Sequence, residues 1–424
     1  MRKTLFFLIL VLSLQSFFFC RAVETNRFPL KLRGLGYGPF RDGQSPSGKY
    51  PATDELRKDL HLLKKVTYSI LTYSSKDTLG KIPGLAKAEG LKVISGIWLG
   101  SDLAENDKEI QRGIKAANSS NSVCAVMVGD EVLLRGDLSE EKLIAYLNQV
   151  KSKVRVPVGT AETWSIWLSH PDLANAVDFI LVNIHPYWDG IAAEEGASYV
   201  HLRYRELVNR YPEKAVVISE TGWPAEGEIN GKAVPGEKEQ AKFISDFIKI
   251  ALEEDIPYFI FEAFDEAWKE QQSGKKVEAH WGIFNTKRVL KPEMSKLIAS
   301  PPLLIEISSV IKGGAVSWSK KLLKGCVYGV VPHNYRIVLY ARTNIWYVQP
   351  IVSKPFTNIK KNGRWKNRTH LGNEYAALLV KKSFKPENTL ADLPNTDGIN
   401  IFAKTRRLSF ENLRSPLPRL LGRK

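Results

Sequence analysis

Cysteine, methionine and histidine are all scarce in this 424-residue sequence, which holds 3 Cys, 3 Met and 7 His. Cys20, Cys124 and Cys326 lie far apart, so the sequence indicates neither a disulfide framework nor a CxxC metal or redox motif. His185 has no HxxxH pattern and no Asp/His cluster beside it. We therefore expect no metal and no other cofactor.

Long apolar runs are also absent, apart from one at the N-terminus. Arg2 and Lys3 precede an uncharged apolar stretch from Leu5 to Phe19, which is shorter than the ~20 residues of a bilayer-spanning helix. This pattern predicts an export segment over residues 1–22. Because Cys20-Arg21-Ala22 is a poor cleavage site, the segment is either removed or retained as an anchor. We expect an exported protein that is secreted, periplasmic or associated with the cell envelope.

Acidic residues are lacking only toward the C-terminus. Residues 301–424 contain 22 Lys and Arg but 6 Asp and Glu, whereas residues 1–300 contain 39 of each class. The whole net charge of +16 therefore belongs to the C-terminal part. Two interpretations remain open, a solvated basic face and attraction to an anionic envelope surface. A nucleic acid is not expected as the partner of an exported chain.

From residue 32 onward, short β-rich apolar runs alternate with helical patterns, the order of parallel strands joined by crossover helices. Helices are predicted at Asp54–Lys65, Ser139–Lys153 and Glu237–Glu254. Eight strands are predicted, at Leu32–Tyr37, Val66–Tyr73, Lys92–Trp98, Val123–Val128, Pro157–Ala161, Phe179–Ile184, Ala215–Ser219 and Tyr258–Phe264. Eight strand-helix units over about 270 residues predict an α/β fold, the (β/α)₈ TIM barrel.

A domain boundary is predicted where Ser300-Pro301-Pro302 interrupts the pattern and the charge balance changes. The barrel domain is assigned to residues 23–300. Short strand-like runs separated by turn residues then predict a small, basic, all-β domain over residues 301–405. These runs are Cys326–Val331, Tyr335–Arg342, Ile345–Val348 and Tyr375–Val380. Residues 406–424 are basic, contain two prolines and are predicted to form a flexible tail.

Two strand ends carry a glutamate in a polar motif. The fourth strand ends in Val128-Gly129-Asp130-Glu131-Val132 and the seventh in Ile218-Ser219-Glu220-Thr221-Gly222-Trp223-Pro224. Strands four and seven face each other across a barrel, and barrel chemistry takes place at the C-terminal strand ends. A single Glu in a loop is usually a solvated charge. Two of them at matching positions indicate glycoside cleavage, in which a retaining enzyme holds two carboxyl groups about 5–5.5 Å apart.

Motifs after the other strands carry a resemblance to a known family. Residues 31–298 resemble glycoside hydrolase family 17, the β-1,3-glucanases and glucanosyltransferases. The resemblance implies a retaining hydrolase or transglycosylase of β-1,3-linked glucan, with Glu220 as nucleophile and Glu131 as general acid/base. Besides Ser219–Pro224, it rests on Gly36-Tyr37-Gly38-Pro39, Gly96-Ile97-Trp98-Leu99-Gly100, Thr160-Ala161-Glu162-Thr163-Trp164, Asn183-Ile184-His185-Pro186-Tyr187-Trp188 and Phe261-Glu262-Ala263-Phe264-Asp265-Glu266.

Further residues of these motifs are expected to contact the sugar. We expect Tyr187 to hydrogen-bond Glu220 and keep it ionised. Two or three tryptophans near the strand ends are expected to stack on sugar rings, from the set Trp98, Trp164, Trp188, Trp223 and Trp281. A buried core position is the alternative for Tyr187 and for some of the tryptophans. The full predicted substrate-binding set is Tyr37, Trp98, Asp130, Glu162, Tyr187, Trp223 and Glu262.

Two positions depart from the family pattern. Asp130 stands where the family has Asn, and an ionised carboxylate accepts hydrogen bonds but cannot donate them. Leu71 stands where the family has Arg. Two alternative functions therefore stay open, a catalytically impaired glucan-binding barrel and an envelope-organising protein whose basic β module is the active part. Trp346, Tyr347, Trp365 and Tyr375 of that module form either a carbohydrate-binding face or its core.

Overall fold

A computed structural model describes residues 29–312 and 320–408. The predicted export segment, residues 1–22, lies outside the described residues, as does most of the predicted tail. The predicted (β/α)₈ barrel followed by a small all-β domain is confirmed. No helix within the described ranges is long and apolar enough to cross a bilayer.

Eight parallel strands close into a barrel in sequence order, and Leu35 of the first strand pairs with Ile260 of the last. Each predicted strand is present, although the last is shorter than predicted. The strands are β1 Leu32–Gly36, β2 Thr67–Leu71, β3 Lys92–Ile97, β4 Val123–Asp130, β5 Val158–Thr163, β6 Ile180–Asn183, β7 Val216–Thr221 and β8 Tyr258–Ile260.

Helices surround the barrel and connect successive strands. They are α1 Thr53–Leu63, α2 Ile82–Glu89, α3 Leu103–Asn118, α4 Glu140–Lys151, α5 Trp164–Ser169, α6 Pro171–Ala176, α7 Ala193–Arg210, α8 Glu237–Glu253, α9 Ala267–Ser273 and α10 Pro292–Ala299. Short 3₁₀ turns occur at Asp77–Lys81, Lys276–Ala279 and Pro332–Asn334. The predicted helices end within three residues of the observed ones. Ser139 caps α4 by accepting a hydrogen bond from the N–H of Lys142, as expected for a serine N-cap.

The strands are buried on both faces, which explains their continuous apolar sequence. All eight residues of β4 are buried. One set of side chains packs against the helices, and the alternate set fills the barrel interior. Leu71 belongs to the interior set, so the position that holds Arg in the family is here part of the apolar core. The interior cluster also contains Ile94, Cys124, Ala125, Met127, Ala161, Phe179, Leu181, Val217 and Phe259.

The C-terminal module begins after α10 and contains two antiparallel sheets. A three-stranded sheet has the order β14-β10-β9, and a second sheet contains β16-β12-β11-β15-β17, with β13 beside β11. The strands are β9 Leu304–Lys312, β10 Lys320–Tyr328, β11 Tyr335–Arg342, β12 Trp346–Gln349, β13 Phe356–Thr357, β14 Arg364–His370, β15 Glu374–Lys381, β16 Thr389–Leu390 and β17 Ile401–Leu408. Five of these, β9, β13, β14, β16 and β17, have no counterpart among the predicted runs.

The module is fixed to the barrel through α8. Strand β17 packs against α8, and the Thr405 hydroxyl donates to the carbonyl oxygen of Leu252 at the end of that helix. Leu304, Cys326 and Tyr328 join the apolar core of the barrel domain. Because β17 extends to Leu408, it passes the predicted start of the tail at residue 406.

Candidate active site

The end of β4 makes a sharp turn that presents Glu131 at the rim of the barrel. Gly129 and Glu131 have φ angles of 80° and 52°, both in the left-handed region. That region destabilises a non-glycine residue by about 1–2 kcal/mol. The turn is held by the N–H of Glu131, which donates to the carbonyl oxygen of Ala161 at 2.8 Å. Such strain is retained mainly where function needs it, so the turn supports Glu131 as a functional residue.

Asn183, the last residue of β6, connects the two predicted catalytic strands. Its Nδ2 donates to Oδ1 of Asp130 and to Oε1 of Glu131, each at 3.0 Å. Its Oδ1 accepts a hydrogen bond from the hydroxyl of Ser219 at 2.7 Å. The amide is therefore oriented by the residue next to Glu220 and positions both acids of β4. The motif Asn183–Trp188 did not predict a role for this asparagine.

Glu220 lies near the end of β7 with its side chain buried. Its Oε2 lies 3.1 Å from Nε2 of His185. Burial lowers the pKa of His185, so its neutral imidazole can donate through Nε2 to the ionised carboxylate. Burial, together with repulsion from Glu131, raises the pKa of Glu220 to about 8, while Tyr73 and Lys269 act in the opposite direction. The charge of Glu131 thus acts on Glu220.

Tyr73, which follows β2, is the tyrosine whose phenol lowers the pKa of Glu220. Burial and the charge of Glu220 raise the pKa of Tyr73 well above its usual range. Gly36 gives the hydroxyl its space, because a Cβ at that position would lie 2.6 Å from it. The expected hydrogen bond from Tyr187 to Glu220 is wrong, since the Tyr187 hydroxyl donates to the carbonyl oxygen of Glu228 at 2.6 Å.

Asp130 is buried beside the catalytic pair. Burial and the charges of Glu220 and Glu131 raise its pKa well above the usual range, against the effect of the Asn183 hydrogen bond. Arg135 donates to the main-chain oxygen of Asp130, which fixes the strand end. Because the pKa is raised, the neutral form of Asp130 is favoured. A neutral carboxyl has one O–H donor, whereas an ionised carboxylate only accepts hydrogen bonds.

Glu262 and Lys269 form a buried ion pair at the end of β8. Lys269 Nζ contacts Glu262 and lies 3.1 Å from Oε2 of Glu266. Burial opposes the charged form of Lys269, but the two carboxylates outweigh it and raise its pKa. Burial raises the pKa of Glu262 well above its usual range, in spite of Lys269. Lys269 also lowers the pKa of Glu220. It therefore supplies positive charge to a site in which Leu71 stands where the family has Arg.

Two predicted sugar ligands instead bond the protein itself. Glu162 is buried, and its carboxyl accepts hydrogen bonds from the N–H groups of Leu133 and Leu134, so it holds the loop after Glu131. Burial raises the pKa of Glu162 to about 7. Tyr37 is buried, and its hydroxyl donates to Oδ2 of Asp59 at 3.2 Å. Both residues support the framework of the site.

The tryptophans divide into exposed and buried groups. Trp98 is 43% exposed beside β3 and Trp188 is 38% exposed beyond β6, so both rings are open to a sugar. The guanidinium of Arg135 lies 4.5 Å from the centre of the Trp98 ring. Trp223 was predicted to stack on sugar, but it is fully buried and donates to the carbonyl oxygen of Val234. Trp281 is buried between His185 and Tyr187.

This geometry can be compared with known proteins. Residues 34–282 match the family model described as the BtgE/BtgC glycoside hydrolase domain. The chain belongs to this family. The resemblance to glycoside hydrolase family 17 is thereby confirmed for the barrel, and the match ends before the C-terminal module.

Relatives and a solved structure agree with this assignment. The chain is 29% identical over 292 residues to the probable glucan endo-1,3-β-glucosidase btgC of Aspergillus flavus, covering 61% of this chain and 42% of that relative. A glucan 1,3-β-glucosidase of Arthroderma benhamiae is 30% identical over 270 residues, covering 59% and 86%. The family 17 β-1,3-glucanosyltransferase of Rhizomucor miehei is 27% identical with a TM-score of 0.56, covering 62% and 96%. The chain thus spans less than half the length of its btgC relatives.

Proposed function

We propose that the barrel is a retaining enzyme that acts on β-1,3-linked glucan, with Glu220 as nucleophile and Glu131 as general acid/base. One observation carries the proposal. Asn183 donates a hydrogen bond to Glu131 at the end of β4 and accepts one from Ser219, the residue before Glu220. The charge of Glu131 also raises the pKa of Glu220. Relatives named as glucan 1,3-β-glucosidases, and a neighbour whose active-site mutant was solved with laminaritriose, support the choice of glucan.

The reaction proceeds in two displacements. In the first, Glu131 gives its proton to the glycosidic oxygen while the Glu220 carboxylate attacks the anomeric carbon. The bond from that carbon to the leaving oxygen breaks, and a glycosyl ester of Glu220 forms. In the second, water or a sugar hydroxyl attacks the same carbon, Glu131 takes the proton, and the Glu220 carboxylate is released. Two inversions give net retention of configuration.

Protein groups around Glu220 prepare it for attack. His185 orients its carboxyl through a hydrogen bond, and Tyr73 and Lys269 favour the ionised form that the first step needs. Burial and Glu131 oppose ionisation, so the site releases this proton at a higher pH than an exposed glutamate would. We therefore propose that activity rises with pH until Glu220 is ionised.

Asp130 is compatible with this chemistry when neutral. Its raised pKa favours a carboxyl that can donate one hydrogen bond, as an amide at that position would. We propose that neutral Asp130 donates to a sugar hydroxyl near Glu131. The exposed rings of Trp98 and Trp188 provide stacking surfaces for the glucan chain. Hydrolysis and transfer differ only in the acceptor of the second step.

Laminarihexaose turnover tests the proposal, with Glu220→Gln as the test variant and Glu226→Gln as the control. Glu226 is an exposed carboxyl six residues beyond Glu220. Loss of the nucleophile lowers kcat by about 10⁴-fold or more while binding persists, because only the covalent step is removed. The control stays within twofold of wild type. A wild-type protein that binds laminarihexaose without cleaving it would instead support the impaired, glucan-binding alternative.

Trapping distinguishes the role of Glu220 directly. A 2-deoxy-2-fluoro-laminaribiosyl fluoride forms a stable glycosyl ester when the second step is slowed. Peptide mass spectrometry is expected to place the label on Glu220, and a label on another residue contradicts the assignment. Product length at high oligosaccharide concentration then separates the acceptors, since transfer yields chains longer than the substrate.

We also propose that the protein is exported and that its basic C-terminal module attaches it to an anionic envelope surface. The N-terminal sequence supports export, and the charge excess of residues 301–424 supports attachment. Deleting residues 301–424 is expected to abolish surface retention. If glucan processing in the envelope were also lost while the barrel remained active in solution, the envelope-organising alternative would be favoured.

A further inference from the structure

Arg135 holds the peptide bond that joins Asp130 to Glu131. Its Nη1 donates to the carbonyl oxygen of Asp130, and the N–H of Glu131, on the other side of that peptide, donates to Ala161. Both hydrogen-bonding groups of the peptide are therefore occupied. Glu131 has a φ of 52°, which is unfavourable for a residue with a side chain, so the peptide needs such support to keep its orientation. Arg135 thus contributes to the direction in which Glu131 points.

The same arginine closes the turn that begins at Glu131. The N–H of Arg135 donates to the carbonyl oxygen of Glu131 at 2.9 Å, and its Nε donates to Oδ2 of Asp137 at 2.7 Å. The N–H of Asp137 in turn donates to the carbonyl oxygen of Val132 at 3.0 Å. The main chain of Arg135 therefore fixes the turn, and the carboxylate of Asp137 directs the guanidinium toward the end of β4.

The third guanidinium nitrogen of Arg135 reaches the segment that follows the neighbouring strand β3. Its Nη2 donates to the carbonyl oxygen of Leu99 at 2.9 Å, and its Cζ lies 4.5 Å from the centre of the Trp98 ring. A guanidinium at this distance is attracted to the face of an aromatic ring. The Trp98 side chain nevertheless remains 43% exposed. Arg135 therefore supports the ring of Trp98 and leaves part of its surface open to a sugar.

We infer that Arg135 is a positioning residue that couples the stacking of a sugar on Trp98 to the orientation of the general acid/base Glu131. This inference rests on the proposed function of the barrel. The three guanidinium nitrogens donate to oxygens beside β3, at the end of β4 and in the turn after Glu131. One planar, rigid group thus joins a stacking surface to the main chain of the acid/base. Arg135 acts through these two residues and not by touching the substrate.

The shape of the guanidinium matters here as well as its charge. A lysine ammonium is a point charge on a flexible stem, whereas the guanidinium of arginine donates in several directions within one plane. A lysine at position 135 can keep a positive charge near the end of β4, but it cannot hold all three acceptors in one fixed geometry. The Arg135→Lys variant therefore separates the effect of geometry from the effect of charge.

Two substrates with different leaving groups test the inference. Laminarihexaose needs a proton from Glu131 for its departing sugar, whereas 2,4-dinitrophenyl β-laminaribioside releases a stable phenolate without one. The ratio kcat/KM reports the first displacement, in which Glu131 acts as the acid. Arg135→Lys and Arg135→Ala are expected to lower this ratio about 100-fold for laminarihexaose, the effect of displacing a catalytic group by about 1 Å, but less than about fivefold for the dinitrophenyl substrate. A loss of equal size with both substrates would overturn the inference.

A double-variant cycle tests the coupling to Trp98. Trp98→Ala is expected to raise KM for laminarihexaose about tenfold with little change in kcat, because stacking stabilises the bound substrate and the transition state alike. Adding Arg135→Ala to that variant should lower kcat further but leave KM within about twofold, since the ring that Arg135 supports is already absent. Increases in KM that simply add would show that the two side chains act independently, which contradicts the coupling.

Arg112→Lys is the matched control. The side chain of Arg112 is 32% exposed, against 30% for Arg135, and its guanidinium pairs with Glu105 and Glu109 of its own helix, α3. This variant is expected to cleave both substrates at the wild-type rate.

The dinitrophenyl substrate also reports folding, because only a folded barrel turns it over. Retained cleavage of this substrate by the Arg135 variants therefore excludes unfolding as the cause of their loss on laminarihexaose. If wild type cleaves neither substrate, the proposed function fails and the inference fails with it. If wild type cleaves both substrates and Arg135→Lys cleaves them equally well, the proposed function stands and the inference alone is overturned.

Discussion

The catalytic end of the barrel and the outer face of the C-terminal module both place like charges side by side. In the barrel, the carboxyls of Asp130, Glu131 and Glu220 share a largely buried site, and burial raises the pKa of Asp130 and Glu220. In the module, Lys324 and Lys366 lie opposite each other in water. Buried groups of one sign relieve their repulsion by holding protons, whereas exposed groups stay charged and can attract a partner. Burial therefore decides whether clustered groups of one sign are neutralised by their protonation state or remain charged in solvent.

The largest expected effect comes from adding one more carboxylate to the buried cluster. Asn183→Asp removes the donor shared by Asp130 and Glu131, and it lowers kcat by about 100- to 1000-fold. It also moves the acidic limb of the pH profile upward, because another negative charge raises the pKa of its neighbours. Exposed Asn121→Asp is the control for the added charge. An unchanged pH profile would contradict a positioning role for Asn183.

The next effect concerns the phenol beside the nucleophile. Tyr73→Phe removes a group that lowers the pKa of Glu220, so the acidic limb of kcat/KM moves up by about one pH unit and neutral activity falls about tenfold. Near pH 9 the difference largely disappears, since Glu220 is ionised in both proteins. Tyr187→Phe serves as the control, because that hydroxyl bonds Glu228. Were Tyr187→Phe to move the limb instead, the assignment of Tyr73 would be wrong.

Removing the buried charge is expected to stabilise the fold. The folded protein raises the pKa of Glu220 from 4.5 to about 8, so between those values it holds a proton that the unfolded chain has released. The free energy of unfolding therefore falls as pH rises through this window. The Glu220→Gln variant does not lose stability in this way, because its amide does not titrate. Its free energy of unfolding should exceed that of wild type by on the order of 1–3 kcal/mol at pH 9, with little gain at pH 4. Thermal denaturation at both pH values measures it, and an equal gain at both would count against the linkage.

The smallest effect lies in the module. Lys366→Glu places a carboxylate opposite Lys324 and should raise the free energy of unfolding by about 0.2–1 kcal/mol. Chemical denaturation of the variant and of wild type measures the difference. Lower stability of Lys366→Glu would show that the two lysines are compatible neighbours and would contradict the repulsion expected from their pairing.

The sequence predicted the barrel well because its signals are local. Buried parallel strands are continuous apolar runs, and β4 could be recognised on that basis. Strands β14 and β17 were missed because three of the seven residues of β14 and three of the eight residues of β17 are charged, as in Arg364-Trp365-Lys366-Asn367-Arg368. A strand with one face in the core and one cationic face resembles a polar loop.

The candidate site was predicted less completely, because motifs give an order along the chain and not the direction of a side chain. Glu131 and Glu220 could be placed from their strand ends. The positions of Tyr187 and Trp223 relative to the substrate could not be predicted in this way. Both side chains are packed into the rim of the barrel. Tyr73 was missed because its role depends on space left by Gly36 on a neighbouring strand, a contact across 37 residues of sequence.

The stereochemistry of the product tests the central claim most directly. Proton nuclear magnetic resonance of laminarihexaose cleavage, recorded before mutarotation, distinguishes the anomer released by the enzyme. If Glu131 and Glu220 act in two displacements, the β-anomer forms first and the α-anomer appears only as the sugar equilibrates. Initial release of the α-anomer would mean a single displacement by water and would contradict the role of Glu220 as nucleophile.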